Sequence, residues 1–212
     1  MGRLKRSLCL ATACLLALAS ALHSHASTVL EMSFRQVFEH AELVFEGRVL
    51  ALASERDDDG MIYTTVRFEV HDVLKGDYAQ STLALRFLGG TVGTQRLDVT
   101  DLTMPQAGEA GIYFVEALYS PQVNPLVGWS QGHFLIEPQA GGELAVLTAT
   151  HEPVLAVEEV DAAPVTAAMN TFSKGVAKGV VVQESLSVQA ASRPLSVDEF
   201  KRSVRALVAE SQ

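Results

Sequence analysis

The residues Gly128-Trp129-Ser130-Gln131-Gly132 carry the spacing Gly-x-Ser-x-Gly and are followed at once by His133. In a nucleophile elbow that spacing raises a serine hydroxyl on a sharp strand-to-helix turn, where a histidine can take its proton for acyl transfer. Here the residues that follow, Phe134-Leu135-Ile136, form a β-type run instead of a helix. The segment is therefore expected to be a strand with bulge-forming glycines, and no residue is assigned as catalytic. It holds the only tryptophan, and Trp129, Gln131 and His133 are its candidate binding residues.

Other chemistry-bearing residues are dispersed. Beyond residue 26 the histidines are His40, His71, His133 and His151, without paired or HExxH spacing, so neither a metal nor another cofactor is assigned. Asp57-Asp58-Asp59-Gly60 has the look of a calcium loop. Counting from Glu55 as position one, however, puts Val66 where the bidentate glutamate belongs, so a hairpin turn is expected. Gly89-Gly90-Thr91-Val92-Gly93 lacks the lysine and the following helix of a phosphate loop and reads as a flexible connection.

These residues must be positioned by a mainly β scaffold. Ile62, Thr64, Val66, Phe68 and Val70 alternate with polar neighbours, the period of a strand with one buried face. Similar runs lie at Leu43 to Leu52, at Leu83 to Phe87, at Gly111 to Leu118, at Gly128 to Glu137 and at Leu144 to Thr150, with turn residues between them. Gly47, inside the first, marks a bulge or a close backbone approach. Short strands in this number suggest a small antiparallel barrel, with a sandwich as the alternative. Ser33 and Gln36 form a capping box before a short N-terminal helix, and Ser196 with Glu199 caps an amphipathic C-terminal helix carrying Val197, Phe200, Val204 and Leu207.

The chain opens with Arg3, Lys5 and Arg6, an apolar run from Leu8 to Leu22, and Ser24-His25-Ala26, the pattern of a signal peptide cleaved before Ser27. A lipoprotein alternative rests on Cys14, but the apolar run continues past it. Cleavage would remove both cysteines, so no disulfide is expected in the mature chain. It would also move the formal charge from −9 to −12, because three basic residues leave and no acidic one does. Such acidity argues against nucleic acid as a partner. No further apolar run of membrane length follows Ser27.

Three segments together resemble the netrin-like domain, the OB-type barrel of the tissue inhibitors of metalloproteinases. They are Phe38 with Ala41-Glu42-Leu43-Val44 and Gly47-Arg48-Val49; Tyr63 to Gly76, ending in Val73-Leu74-Lys75-Gly76; and Gly108-Glu109 with Ile112-Tyr113-Phe114-Val115. The disulfide cysteines of that family are absent. In the family, the α-amino group and carbonyl of the first mature residue chelate the catalytic zinc of a protease. The resemblance implies that role for Ser27, since an α-amino group is partly neutral near pH 7 and catalytic zinc keeps a position open.

The expected organisation is a signal peptide over 1–26, an OB-like barrel over 27–160, an irregular or mobile segment over 161–192 and a C-terminal helix over 193–212. The expected function is that of a periplasmic or secreted protein-binding module whose partner is another exported protein, in its most specific form a zinc protease. Ser27, Trp129, Gln131 and His133 are its binding residues. The alternatives are a hydrolase or ligand-binding barrel using Trp129 to His133, and a structural envelope protein.

Overall fold

The computed structural model describes residues 29–100, 102–120, 122–139, 141–158, 175–183 and 193–211. Residues 1–26, expected from sequence to be a signal peptide, Ser27 and most of 161–192 lie outside them.

Ser33 opens the first element. Its hydroxyl accepts from the Gln36 amide at 3.1 Å while the Gln36 side chain accepts from the Ser33 amide at 2.8 Å, and helix α1 (Phe34–His40) follows. At its far end, the Lys75 ammonium donates to the carbonyls of Phe38 at 2.6 Å and Glu39 at 3.2 Å, and the Phe38 carbonyl also takes the Ala41 amide at 3.3 Å. The same ammonium lies 4.4 Å over the Phe38 ring. Burial pulls the Lys75 pKa down, against the opposing charge of Glu39.

Strand β1 (Leu43–Arg56) and β2 (Ile62–Lys75) form a long hairpin. Asp57 closes it, with its carboxylate accepting from the Met61 amide and its carbonyl from the Gly60 amide. The aspartate run is thus a turn, as its spacing indicates. Strand β3 (Thr82–Leu88) adds to β2. Gly89 and Gly90 do not lead into a flexible connection. They begin a small hairpin of β4 (Gly90–Val92) and β5 (Gln95–Leu97), and any Cβ on Gly90 would fall 2.2 Å from the Thr64 hydroxyl. Strands β6 (Ala110–Val115), β7 (His133–Pro138) and β8 (Leu144–Thr148) complete an antiparallel sheet of order β3-β2-β1-β6-β7-β8.

The ends of that order, β3 and β8, are not paired with each other, so the sheet is open and the expected closed barrel is not found. Strand β8 instead extends the outer edge of β7. One face is covered by α1, by the pair β9 (Val154–Val157) and β10 (Val180–Val182), and by helix α2 (Val197–Glu210). Alternation along β6 sends Ile112 and Phe114 into that core and Tyr113 and Val115 into a second one with Phe45, Val66, Phe68, Leu85 and Phe87. The centre of the sheet is therefore buried on both faces, which is why Leu43 to Phe45 and Ile112 to Val115 read as unbroken apolar runs. No helix among the described residues is long and apolar enough to cross a membrane.

Gly47 sits at one of three register shifts between β1 and β2. A Cβ there would stand 2.4 Å from the Glu69 carbonyl oxygen, which is backbone and cannot swing aside. Gly47→Ala is expected to lower stability by about 1–3 kcal/mol as the two strands are pushed apart. Urea denaturation checks this, with an unchanged midpoint as the contrary result.

Candidate functional site

The segment around Trp129 is a 3-10 turn over Trp129–Gly132, and the strand begins only at His133, so the bulged strand expected from Gly128 onward is corrected. Gly128 and Trp129 are both left-handed, with φ of 55° and 59°. For a bulky aromatic residue that conformation is costly and is held only by its surroundings. The turn it produces aims Gln131 inward, where the residue is 1% exposed.

Gln131 grips the beginning of the described chain. Its Oε1 accepts from the Met32 amide at 2.8 Å, and its Nε2 donates to the Leu30 carbonyl at 3.0 Å and to the Gly128 carbonyl at 3.2 Å. Lys178 holds the same stretch in another way, donating its amide to the Met32 carbonyl and accepting from the Phe34 amide, each at 2.8 Å. Two candidates that are a hundred residues apart in sequence, the N-terminal segment and the tryptophan turn, are thus brought together. Ser27 itself lies outside the described residues, three positions before Leu30.

His133 belongs to a different environment. It is fully buried, its Nε2 lies 2.7 Å from Glu109 Oε1, and its ring stacks on Tyr113 with centroids 5.3 Å apart. The Tyr113 hydroxyl donates to the same carboxylate oxygen at 2.9 Å, and the Gln106 amide donates to the other at 3.1 Å. Burial by itself would raise the Glu109 pKa, but the hydrogen bond and charge of His133, with the Gln106 and Tyr113 donors, bring it below the usual carboxylate value. Burial, then the adjacent Glu109 charge, pushes the Tyr113 phenol up. His133 Nδ1 is buried without a hydrogen-bond partner. This cluster ties β6 to β7 with His133 fully buried in it, so His133 is not grouped with Trp129 and Gln131 at a surface.

The other histidines each face a separate partner. His40 meets the Gln36 carbonyl, His71 meets Glu69 and His151 meets Glu137. Ser130 has no hydrogen bond to any histidine among the described residues, so the serine–histidine pair needed for acyl transfer is not assembled there. Nor does any group of three or more histidine, cysteine or acidic side chains among them converge as metal ligands would.

Compared with protein-family models, with curated proteins and with solved structures, the chain gives no match. The segments around Phe38 to Val49, Tyr63 to Gly76 and Gly108 to Val115 meet in space. Val49 exchanges backbone bonds with Gly108 and Glu109, at 2.9 and 2.8 Å, and Lys75 reaches the end of α1 beside Ala41. Glu109 and Tyr113 entered the sequence reading only as parts of a structural motif. What ties them to His133 is β6–β7 pairing, Tyr113 opposite His133, which no local spacing reveals.

Proposed function

We propose that the protein is an exported binding module of OB-type, netrin-like architecture that engages another exported protein, specifically a zinc protease, through its mature N-terminus and the Trp129 turn. The single observation that carries this reading is the Gln131 clamp on Leu30 and Met32. In a chelating inhibitor the first residue has to be presented in a fixed position, since ordering a free end costs about 1–2 kcal/mol per residue. Without a cysteine beyond Cys14, that restraint has to be non-covalent, and the buried Gln131 amide with Lys178 supplies it close to Ser27. Chelation would place the Ser27 amine and carbonyl in the open position of the protease's zinc. The OB-type assignment draws support from β1, which is shared between β2 and β6 and carries three register shifts against β2, the irregularities that let a strand curve.

Secretion of the full chain followed by N-terminal sequencing and assay against a panel of exported zinc proteases tests the proposal. A chain starting at Ser27 is expected to inhibit, and one additional alanine before Ser27 to weaken inhibition at least about tenfold. Gln131→Leu is expected to weaken it too, and to speed amide exchange at Met32 by about tenfold, the loss of one well-formed buried hydrogen bond. Equal inhibition by the extended chain, or none by either form, overturns the reading.

A further inference from the structure

Strand β3 ends the sheet order, so one of its edges has no neighbouring strand. The bonds from the Gly89 amide to the Ile62 carbonyl and from the Val70 amide to the Ser81 carbonyl set the phase of its ladder. Leu83, Leu85 and Phe87 therefore exchange with β2, and Ala84, Arg86 and Leu88 turn their N–H and C=O groups to the outer side. The Leu88 amide donates to the Val123 carbonyl at 2.8 Å. No other described backbone group bonds to the outer side at Ala84 or Arg86.

Those two open positions border a groove of about 410 Å³, whose wall includes Tyr63, Leu118, Tyr119 and Gln122. Three of its features call for a peptide. The Gln122 Oε1 is buried without a hydrogen-bond partner and needs a donor. Tyr119 is 86% exposed, a large aromatic surface with nothing over it. Arg86 lies 3.7 Å over the Tyr63 ring and is the one charged residue among the described groove residues, in a chain whose net charge is −9. Its ion pair with Asp57, at 3.8 Å, is longer than a hydrogen bond, so the guanidinium N–H groups can also take a carboxylate from a partner.

We infer that this groove accepts an extended, acidic segment of a partner protein as an added strand along β3. The segment's backbone fills the outward groups of Ala84 and Arg86, a carboxylate meets Arg86, an amide N–H meets Gln122, and an apolar side chain covers Tyr119. Main-chain bonds supply affinity in such strand addition, and the alternate side chains supply selectivity. The groove shares no residue with the Gln131 clamp, and its readout is peptide binding, so it stands or falls independently of protease inhibition.

The test is fluorescence anisotropy of the full mature chain with a labelled peptide of alternating valine and glutamate. Two further probes have lysine in place of glutamate or carry N-methyl groups on alternate amides. Saturable binding of the first is expected, with at least about tenfold weaker binding of the other two. Arg86→Ala should cost about tenfold as well, and Ala84→Pro should abolish binding, since it deletes an outward N–H and leaves the β2 ladder intact. If Ala84→Pro fails to fold by circular dichroism, the N-methyl probe decides. No binding, or equal binding of the N-methylated or the lysine peptide, overturns the inference. So does sedimentation showing a dimer that Ala84→Pro dissociates, because the occupant is then a second copy.

Discussion

Glu109→Ala should lower stability by about 3–5 kcal/mol, the range for removing one partner of a buried pair. One carboxylate oxygen serves both His133 Nε2 and the Tyr113 hydroxyl, and the other holds the Gln106 amide. Alanine would leave two buried groups, His133 Nε2 and the Tyr113 hydroxyl, unfilled in one step, with His133 already lacking a partner at Nδ1, while the exposed Gln106 amide would turn to water. Glu109→Gln keeps the volume and one acceptor but turns an NH2 toward a donor, so a loss of about half that size is expected. The pH dependence has a defined direction. Because the folded-state pKa of Glu109 lies below its unfolded value, its contribution is complete above the ordinary carboxylate pKa of about 4.3 and fades as pH falls through the lowered folded value. The stability gap between native protein and Glu109→Gln should thus be flat near neutrality and close below about pH 4. Denaturant melts of the three proteins across that range decide it, and a gap that widens in acid contradicts the assignment.

That cluster also marks the boundary of what local sequence can convey. Both capping boxes were legible because each is complete within four residues, Ser33 with Gln36 and Ser196 with Glu199. The alternation of β2 was legible because Ile62, Thr64, Val66 and Phe68 are buried against a single core face. The far half of β1 was not. Ala53 to Arg56 are exposed and carry no apolar period, and they are strand only because Ile62 to Thr65 pair with them across the Asp57 turn. The sheet's openness was likewise invisible, since which strand joins which edge is a long-range choice.

The candidate site divides along the same line. Gly128 and Trp129 have the composition of a bulge but form a left-handed turn, because the Gln131 amide gains three backbone partners by facing inward. The adjacency of Gln131 and His133 in sequence suggested one surface, whereas the step from turn to strand sends them to different environments. Signals for the β3 groove were present and unread. Tyr63 stands on the otherwise polar face of β2, and Arg86 alternates with Leu85 and Phe87, so an aromatic and a cation share a solvent face.

The other large effect concerns how α2 is held. Phe200 is fully buried, with its ring centroid 4.8 Å from that of Phe134 and 5.6 Å from that of Phe34, and Val204 is buried one turn later. Lys201 anchors the same helix through ion pairs to Glu46, at 2.6 Å, and Asp72, and Arg205 also reaches Asp72. Burial disfavours the Lys201 charge, yet the two carboxylates prevail and raise its pKa. These acids are partly exposed, so water screens them, and Lys201→Ala should cost only about 1 kcal/mol. Phe200→Ala removes an aromatic ring from between two others and leaves a cavity, for about 3–5 kcal/mol. If the apolar face holds the helix, added salt at about 1 M, where the Debye length is near 3 Å, should erase most of the lysine effect and leave the phenylalanine effect standing. Equal losses for the two variants at low salt, both removed by salt, would instead make α2 an electrostatically docked element that the sheet can release.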